Sequence, residues 1–277
     1  MPLRRATKVA GAVLAAAAVV VVAPTAAHAQ ESRLRFDAPP LRLAQPIVMT
    51  LLQDRAGLMW IGTQGGLIRY DGHAAQLYGG GRAEERSLPS SAIRALAEHT
   101  DGRLWVATLS GLGIVSAERD RTTPVSSQTH PDLFPLTDAM SALAELPDGR
   151  MAVGTDGGGL VILESDASGG RVFVHHPADP TSLPSNTVDA VASGLDGSLW
   201  VATLTGLVRL RPDADAFEHV PLPPSSVGSV EPRRLAVDPS GVVWVGGLDG
   251  VVRIDPEAGV RRVRLGGFRI QSLLATH

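Results

Sequence analysis

Histidine and aspartate are the side chains of this sequence that could bind a metal ion, and one segment brings them close together. His175 and His176 are adjacent, and Asp179 follows three residues later. Imidazole and carboxylate groups are suitable ligands for zinc and similar metals. However, the chain has no cysteine, and no His-x-x-x-His or His-Glu-x-x-His spacing occurs. The proline-rich pattern of 175–191 is similar to that of 80–96, so we expect a structural linker and no bound metal.

Three other kinds of chemistry can be tested against the sequence in the same way. Gly-Gly-Gly at 79–81 and 157–159 could cradle a phosphate, but neither is followed by Lys-Ser or Lys-Thr or precedes a clear helix. The segment 213–215 and Asp54 could contribute to a calcium site, but they lack the fuller set of ligands. No Gly-x-Ser-x-Gly nucleophile motif is present. We therefore predict a non-catalytic chain with no cofactor and no metal.

The elements that hold these residues are repeated along the chain. LDGSLWVATLTGLVRL at 195–210 is nearly copied by TDGRLWVATLSGLGIV at 100–115, and three further segments follow the same pattern. A glycine before the apolar strand marks each copy, at spacings of 45, 47, 48 and 44 residues: Gly57, Gly102, Gly149, Gly197 and Gly241. All four tryptophans occupy one position of the repeat, and the third copy has alanine there: Trp60, Trp105, Ala152, Trp200 and Trp244. A period of about 46 residues is typical of a β-propeller blade.

Each copy, here called unit one to unit five, has the pattern of a four-stranded antiparallel meander. In unit four the apolar segments of 187–221 are separated by turns at 195–198, 204–206 and 213–215. We therefore predict an all-β chain with five complete blades. The segment GGFRIQSLLATH at 266–277 has the pattern of the first strand of a sixth unit, which suggests an incomplete ring.

The repeated tryptophan has a structural and a functional interpretation. It could fill the wedge between neighbouring blades, or it could form a stacking platform for a sugar. Its recurrence at one strand position favours packing. The wedge beside Ala152 is then expected to be looser, or to be filled by other side chains.

One loop of each unit varies while its flanking residues repeat. It lies between the second and third strands of each unit and holds Gln64, Ser110, Asp156, Thr205 and Asp249. Loops at one end of a propeller commonly form its binding site. These five residues are therefore candidates for ligand binding, and the alternative is that they are unconstrained surface.

The first 29 residues form a separate segment. Arg4, Arg5 and Lys8 precede the apolar run 9–23, and Ala27-His28-Ala29 fits a small-x-small cleavage site. The run is shorter than the roughly 20 residues that span a bilayer. We predict a signal peptide over 1–29 with cleavage after Ala29, a lead-in segment over 30–45, propeller repeats over 46–277, and export to the periplasm. A net charge of −3 and the absence of a basic stripe argue against nucleic-acid binding.

Unit one and one linker carry a resemblance to a known family. The sequence resembles the two-component regulator propeller repeat, which has D-x-x-G-x-(L/I)-W-(V/I)-G-T followed by G-L and an Arg-(Leu/Tyr)-Asp ending. The matching residues of unit one are Asp54, Gly57, Trp60, Ile61, Gly62, Thr63, Gly66, Leu67, Arg69, Tyr70 and Asp71. The linker residues that match are His176, Pro177, Asp179, Pro180, Ser182 and Leu183.

The resemblance implies an extracytoplasmic sensor with seven blades per ring, so we expect this chain to hold an incomplete seven-bladed ring. Such propellers precede a membrane helix and an output module, commonly a histidine kinase or a diguanylate cyclase, and this chain holds neither. We therefore expect the N-terminal part of a longer or truncated membrane sensor, which would bind a small molecule, oligosaccharide or peptide and bias a dimeric output. A free secreted propeller that serves as a protein-interaction scaffold is the alternative. A propeller lyase or lactonase would need clustered histidines and acids at the channel mouth.

Overall fold

The computed structural model describes residues 47–78, 84–224, 232–247, 250–255, 258–263, 270 and 273. Within these ranges the chain forms strands, with one short 3₁₀ turn at Glu84–Arg86, and no helix there has the length and apolar character needed to cross a bilayer. The strands are β1 (Val48–Gln53), β2 (Met59–Thr63), β3 (Gly66–Tyr70), β4 (Ala75–Leu77), β5 (Ile93–Glu98), β6 (Leu104–Thr108), β7 (Gly111–Val115), β8 (Thr122–Val125), β9 (Met140–Glu145), β10 (Met151–Thr155), β11 (Leu160–Leu163), β12 (Gly170–Phe173), β13 (Val188–Ser193), β14 (Leu199–Thr203), β15 (Gly206–Leu210), β16 (Phe217–Val220), β17 (Arg234–Val237), β18 (Val243–Gly247), β19 (Gly250–Asp255) and β20 (Gly259–Val263).

The strands form five separate four-stranded antiparallel sheets, one for each repeat unit. Within every sheet the strands follow chain order, so each sheet is a meander. The first strands of successive sheets contact each other: β1 with β5, β5 with β9, β9 with β13, and β13 with β17. The first strand of each sheet therefore lies innermost and the fourth outermost, as in a β-propeller. The predicted all-β class and the five four-stranded blades are confirmed.

The glycine that marks each repeat has a conformational reason. Gly57, Gly102, Gly149, Gly197 and Gly241 have φ between +78° and +88°. Residues with a Cβ rarely adopt this left-handed region, whereas glycine enters it at little cost. The glycine therefore fixes the turn between the first and second strands, and this turn sets the register of the strand that carries the tryptophan.

The second strand of each sheet faces the next sheet through two alternate residues. In unit one these are Trp60 and Gly62, which is two positions further along β2. Trp60 is fully buried, in one apolar cluster with Leu104 and Val115 of unit two. A Cβ added to Gly62 would lie 2.7 Å from Cγ2 of Ile93, so the small residue admits the first strand of the next unit. Four of the five units thus have one large and one small residue at these positions, and unit three has Ala152 in place of the large one.

Two described residues of the predicted sixth unit follow the same rule. A Cβ added to Gly246 would lie 2.7 Å from Cγ2 of Ile270 and 3.2 Å from Cδ1 of Leu273, and the Ile270 N–H donates to the Gly247 carbonyl oxygen at 3.0 Å. Ile270 therefore packs on Gly246 as Ile93 packs on Gly62. The rest of the predicted segment 266–277 lies outside the described residues.

The aspartate at the start of the motif accepts a hydrogen bond from the tryptophan in units one and five. Nε1 of Trp60 donates to Oδ2 of Asp54 at 2.8 Å, and Nε1 of Trp244 donates to Oδ2 of Asp238 at 2.9 Å. In unit two the corresponding residue is His99, and the buried Nε1 of Trp105 has no hydrogen-bond partner within the described residues. Trp60 and Trp105 are both fully buried, so they form a matched pair that differs in this bond.

This pair makes the contribution of the indole hydrogen bond measurable. We expect Trp60→Phe to lower the free energy of unfolding more than Trp105→Phe, by about 1.5–3 kcal/mol, because only Trp60 donates to a carboxylate. Both substitutions lose a similar apolar area, which cancels in the comparison. Urea unfolding of the two variants and the wild type measures the difference. Equal losses would show that the aspartate adds nothing to the packing of the ring.

Candidate functional site

A threonine closes the turn between the second and third strands in four units. Its Oγ1 donates to a glycine carbonyl oxygen across the turn, over distances of 2.7 to 2.9 Å. The pairs are Thr63 with Gly66, Thr108 with Gly111, Thr155 with Gly159, and Thr203 with Gly206. All four threonine residues are buried. The turns therefore have a fixed frame, and the residues between the two partners can vary without loss of this bond.

Four of the five predicted binding residues lie in these turns and are exposed. They are Gln64, Ser110, Asp156 and Thr205, whereas Asp249 lies outside the described residues. The turns are at one end of the sheets, next to the start of each first strand, because Val48 pairs with Thr63 and Ile93 pairs with Thr108. The prediction that these positions share one face stays consistent with the strand register, although no measurement tests their role.

Two of these residues contact the same linker segment. Thr205 Oγ1 donates to the Pro184 carbonyl oxygen at 3.0 Å, and Asp156 forms an isolated β-bridge with Thr187. Thr187 Oγ1 also lies 3.4 Å from Asp156 Oδ1. The linker 184–187 is thus held between the turns of units three and four. These contacts join Asp156 and Thr205 to one segment, which they approach from neighbouring sheets.

The first strand of each of the first four sheets contains a β-bulge beside these turns. The register skips one residue in each case, and the skipped residues are Met49, Arg94, Ser141 and Asp189. Arg233 has the same position relative to the marker glycine of unit five. A bulge directs its extra residue out of the regular alternation, and bulges are common at the rims of closed sheets and near binding sites.

Two bulge residues contact the next sheet directly. Ser141 Oγ donates to the Val188 carbonyl oxygen at 2.5 Å, and Arg233 Nη1 donates to Asp189 Oδ1 at 3.1 Å. Burial raises the pKa of Asp189, Arg233 opposes this shift, and the negative charge of Asp156 adds to it. The candidate site therefore consists of the four exposed turn residues and the innermost bulge residues, with Asp156, Asp189 and Arg233 as its charged part.

Sequence reasoning missed Asp189 and Arg233. The available signal was the same as for the turns, namely one position that varies within a repeated frame, eight residues before the marker glycine. In unit four this position gives Val-Asp-Ala-Val, an acid inside an otherwise apolar strand. The loose alternation of this segment concealed the bulge, because a skipped residue changes which side chains share a face.

The other candidate chemistries have structural explanations. His175 Nδ1 lies 2.5 Å from the Leu183 carbonyl oxygen, and Ser182 Oγ accepts from the His176 N–H at 2.9 Å, so the histidine pair closes its own linker. Gly157 and Gly159 both donate their N–H groups to the Asn186 carbonyl oxygen. The first glycine triplet, 79–81, lies outside the described residues. No cluster of metal-ligating side chains occurs in the described part of the chain.

Comparison with known proteins agrees with this architecture. The family model "Two component regulator propeller" matches residues 43–65 and 87–110. The extracellular domain of the putative hybrid two component system BT4673 from B. thetaiotaomicron is 25% identical, with a TM-score of 0.65 over 83% of this chain and 29% of that one. A virginiamycin B lyase from Staphylococcus aureus has the same fold, with 11% identity and a TM-score of 0.62 over 82% of this chain and 72% of that one. No curated protein matches the sequence.

The fold and the repeats define a β-propeller. Two of its units match the repeat model of two-component regulator propellers, which confirms the resemblance seen in the sequence. The chain spans 29% of the length of the BT4673 domain that it matches.

The charged part of the site predicts a distinctive pH dependence. We expect Asp189→Asn to gain stability relative to the wild type as the pH rises above 4, because the raised pKa means that ionising Asp189 costs folding energy. Asp238 is the opposite control, since hydrogen bonds from Ser240 and Trp244 lower its pKa to about 2. Asp238→Asn should lose relative stability as the pH rises from about 2 to 4.

Urea unfolding of both variants and the wild type between pH 2 and pH 7 measures these trends. Because each variant is compared with the wild type, the titration of all other carboxylates cancels. Parallel curves for Asp189→Asn and the wild type would contradict the proposed burial of Asp189.

Proposed function

We propose that this chain is the periplasmic ligand-sensing propeller of a two-component-type signalling protein and that it is not itself catalytic. The observation that carries the proposal is the likeness to the extracellular domain of the putative hybrid two component system BT4673, over 83% of this chain, together with the matched regulator-propeller repeats. The ligand would be a small molecule, an oligosaccharide or a peptide. A longer membrane protein that contains the propeller would transmit the signal, as a dimer.

The geometry of the candidate site supports recognition more than catalysis. The turns between the second and third strands present exposed polar residues on a frame fixed by threonine hydrogen bonds, and a rigid frame lowers the entropy cost of binding. None of the described turns carries a histidine. His175 and His219 instead contact the linker around Ser182, beside the outermost strand β16. A lyase-type site would require histidines on the turns.

One observation favours the scaffold function as a second candidate. Leu51 is 61% exposed and Leu77 is 53% exposed, and their strands are the first and last of the unit-one sheet. The two side chains lie in one row across that sheet, with the buried Ile61 and Ile68 between them, and exposed apolar side chains can contribute to a protein interaction surface. A secreted scaffold would use this sheet, whereas a ligand sensor would use the turns.

Ligand binding at the turns can be tested on the exported chain. We expect a panel of oligosaccharides and short peptides to contain a compound that raises the melting temperature, because a ligand at 100 times its Kd stabilises the folded state by about 2.7 kcal/mol. Asp156→Ala and Thr205→Ala should reduce that shift. Asp166→Ala is the matched control, since Asp166 lies in the turn between the third and fourth strands, at the opposite end of its sheet.

The outcomes separate the two candidate functions. A shift that all variants retain would place binding away from the turns. No shift with any compound, combined with a protein partner whose binding Leu51→Lys abolishes, would replace the sensor proposal with the scaffold.

Export is proposed from the first 29 residues. We expect N-terminal sequencing of the protein recovered from the periplasm to begin at Gln30, because Ala27 and Ala29 supply the small side chains that signal peptidase requires. Ala29→Phe should block processing and leave the chain at the membrane, whereas Ala29→Ser should be cut normally. A first residue of Met1 in the wild-type periplasmic protein would contradict the assignment.

A further inference from the structure

A cavity of about 490 Å³ lies between the sheets of units three and four. Its walls come from both sheets, with Leu146, Ile162 and Phe173 on one side and Leu199 and Leu210 on the other. Ala152, at the position that holds tryptophan in the other four units, is fully buried in the same apolar cluster as Leu146, Leu199 and Leu210, although it does not itself line the cavity. The sequence predicted that this wedge is looser or filled by other side chains, and the cavity opens beside that cluster.

The cavity walls correspond residue by residue to the surroundings of Trp60. Leu104 and Val115 of unit two share the Trp60 cluster, and they are the first residue of β6 and the last of β7. The same positions of unit four hold Leu199 and Leu210, which also pair with each other. Both line the cavity.

The polar partners of the Trp60 ring have also been replaced. In unit one Asp54 accepts the indole N–H, and the Arg119 guanidinium lies 5.5 Å from the ring centroid. In the third wedge Leu146 stands at the position of Asp54. Ala214 corresponds to Arg119, because its N–H closes the same turn onto the residue that follows the third strand. Leu146 and Ala214 both line the cavity. The space left by the absent ring is therefore apolar.

The second wedge shows that these apolar neighbours suit a ring. Trp105 shares a buried cluster with Met151, Leu163 and Ala167, which are the counterparts of Leu199, Leu210 and Ala214. Trp105 is fully buried there without a polar partner for its N–H within the described residues. An aromatic ring is thus accommodated between sheets of this sequence by contact alone.

Most charged side chains at the rim of the cavity form ion pairs. Arg150 pairs with Asp148 at 2.6 Å, Arg171 pairs with Asp215, and Arg211 pairs with Glu218, while Asp213 also lines the rim. The lining holds three acidic and three basic side chains, a balance that favours neither an anion nor a cation. Phe173 lines one wall and meets Phe217 edge-to-face, with ring centroids 5.3 Å apart. The chemistry therefore suits an uncharged planar ring with its polar substituent at the rim.

We propose that this cavity is a binding site for an uncharged aromatic compound, whose ring occupies the space that tryptophan fills in the other units. The site is separate from the turns of the candidate sensing face and does not depend on the proposed function. An apolar two-ring compound fits better than indole, because Leu146 offers no acceptor for an indole N–H.

Calorimetric titration of the exported full chain with naphthol tests the site. We expect one site per chain with a Kd below about 1 mM. Ala152→Trp should weaken binding by at least about tenfold, because the new side chain must extend among Leu146, Leu199 and Leu210 into the cavity that these residues line. Ala214→Phe should weaken binding similarly. Ala214 is half-buried in a turn, so its position tolerates a larger side chain.

Ala216→Phe is the matched control, since Ala216 is exposed in the same turn and does not line the cavity. Retained binding by this variant, with loss in Ala214→Phe, would support the site even if Ala152→Trp failed to fold. No heat from the wild type up to about 1 mM naphthol would overturn the proposal. Binding that Ala214→Phe leaves unchanged would overturn it as well.

Discussion

The structure depends on one constraint, namely that a flat sheet with two apolar faces must be covered on both. Each four-stranded meander is too small to cover itself, so neighbouring sheets cover one another in wedges. The large and small residues of the second strand, such as Trp60 and Gly62, set how closely two sheets approach. This packing of the sheets determines the positions of the turns, bulges and linkers, and therefore of the candidate site that the turns and bulges form.

Hydrogen bonds at the sheet ends keep that packing separate from recognition. The threonine hydroxyl of each described turn donates a hydrogen bond to a glycine carbonyl oxygen. The marker glycine adopts the left-handed conformation at the opposite end of the sheet. Neither the threonine hydrogen bond nor the glycine conformation involves the exposed residue in the turn between the second and third strands. Gln64, Ser110, Asp156 and Thr205 can therefore change without altering the wedge, which explains how one frame carries different surfaces.

Much of the fold could be predicted from the sequence because the comparison of five similar units shows which residue types recur at each position. The marker glycines, the tryptophans and the strand order followed from spacing and alternation, and Ala152 marked the loose wedge. The pair of Asp189 and Arg233 was missed, because a varying position eight residues before the marker glycine does not show that a residue is skipped in the pairing of two strands. The cavity walls were also hidden, since they come from positions that meet only when two sheets pack together.

The indole ring and its two polar partners constrain the order in which these three positions can be substituted within a unit. Unit one has the full set of Asp54, Trp60 and Arg119, unit two keeps only Trp105, and unit three has none of them. Restoring an aspartate at Leu146 alone would bury an unpaired carboxylate, which costs folding energy. The ring or the arginine must therefore be gained before the aspartate, so the stability of each intermediate constrains the order of substitutions.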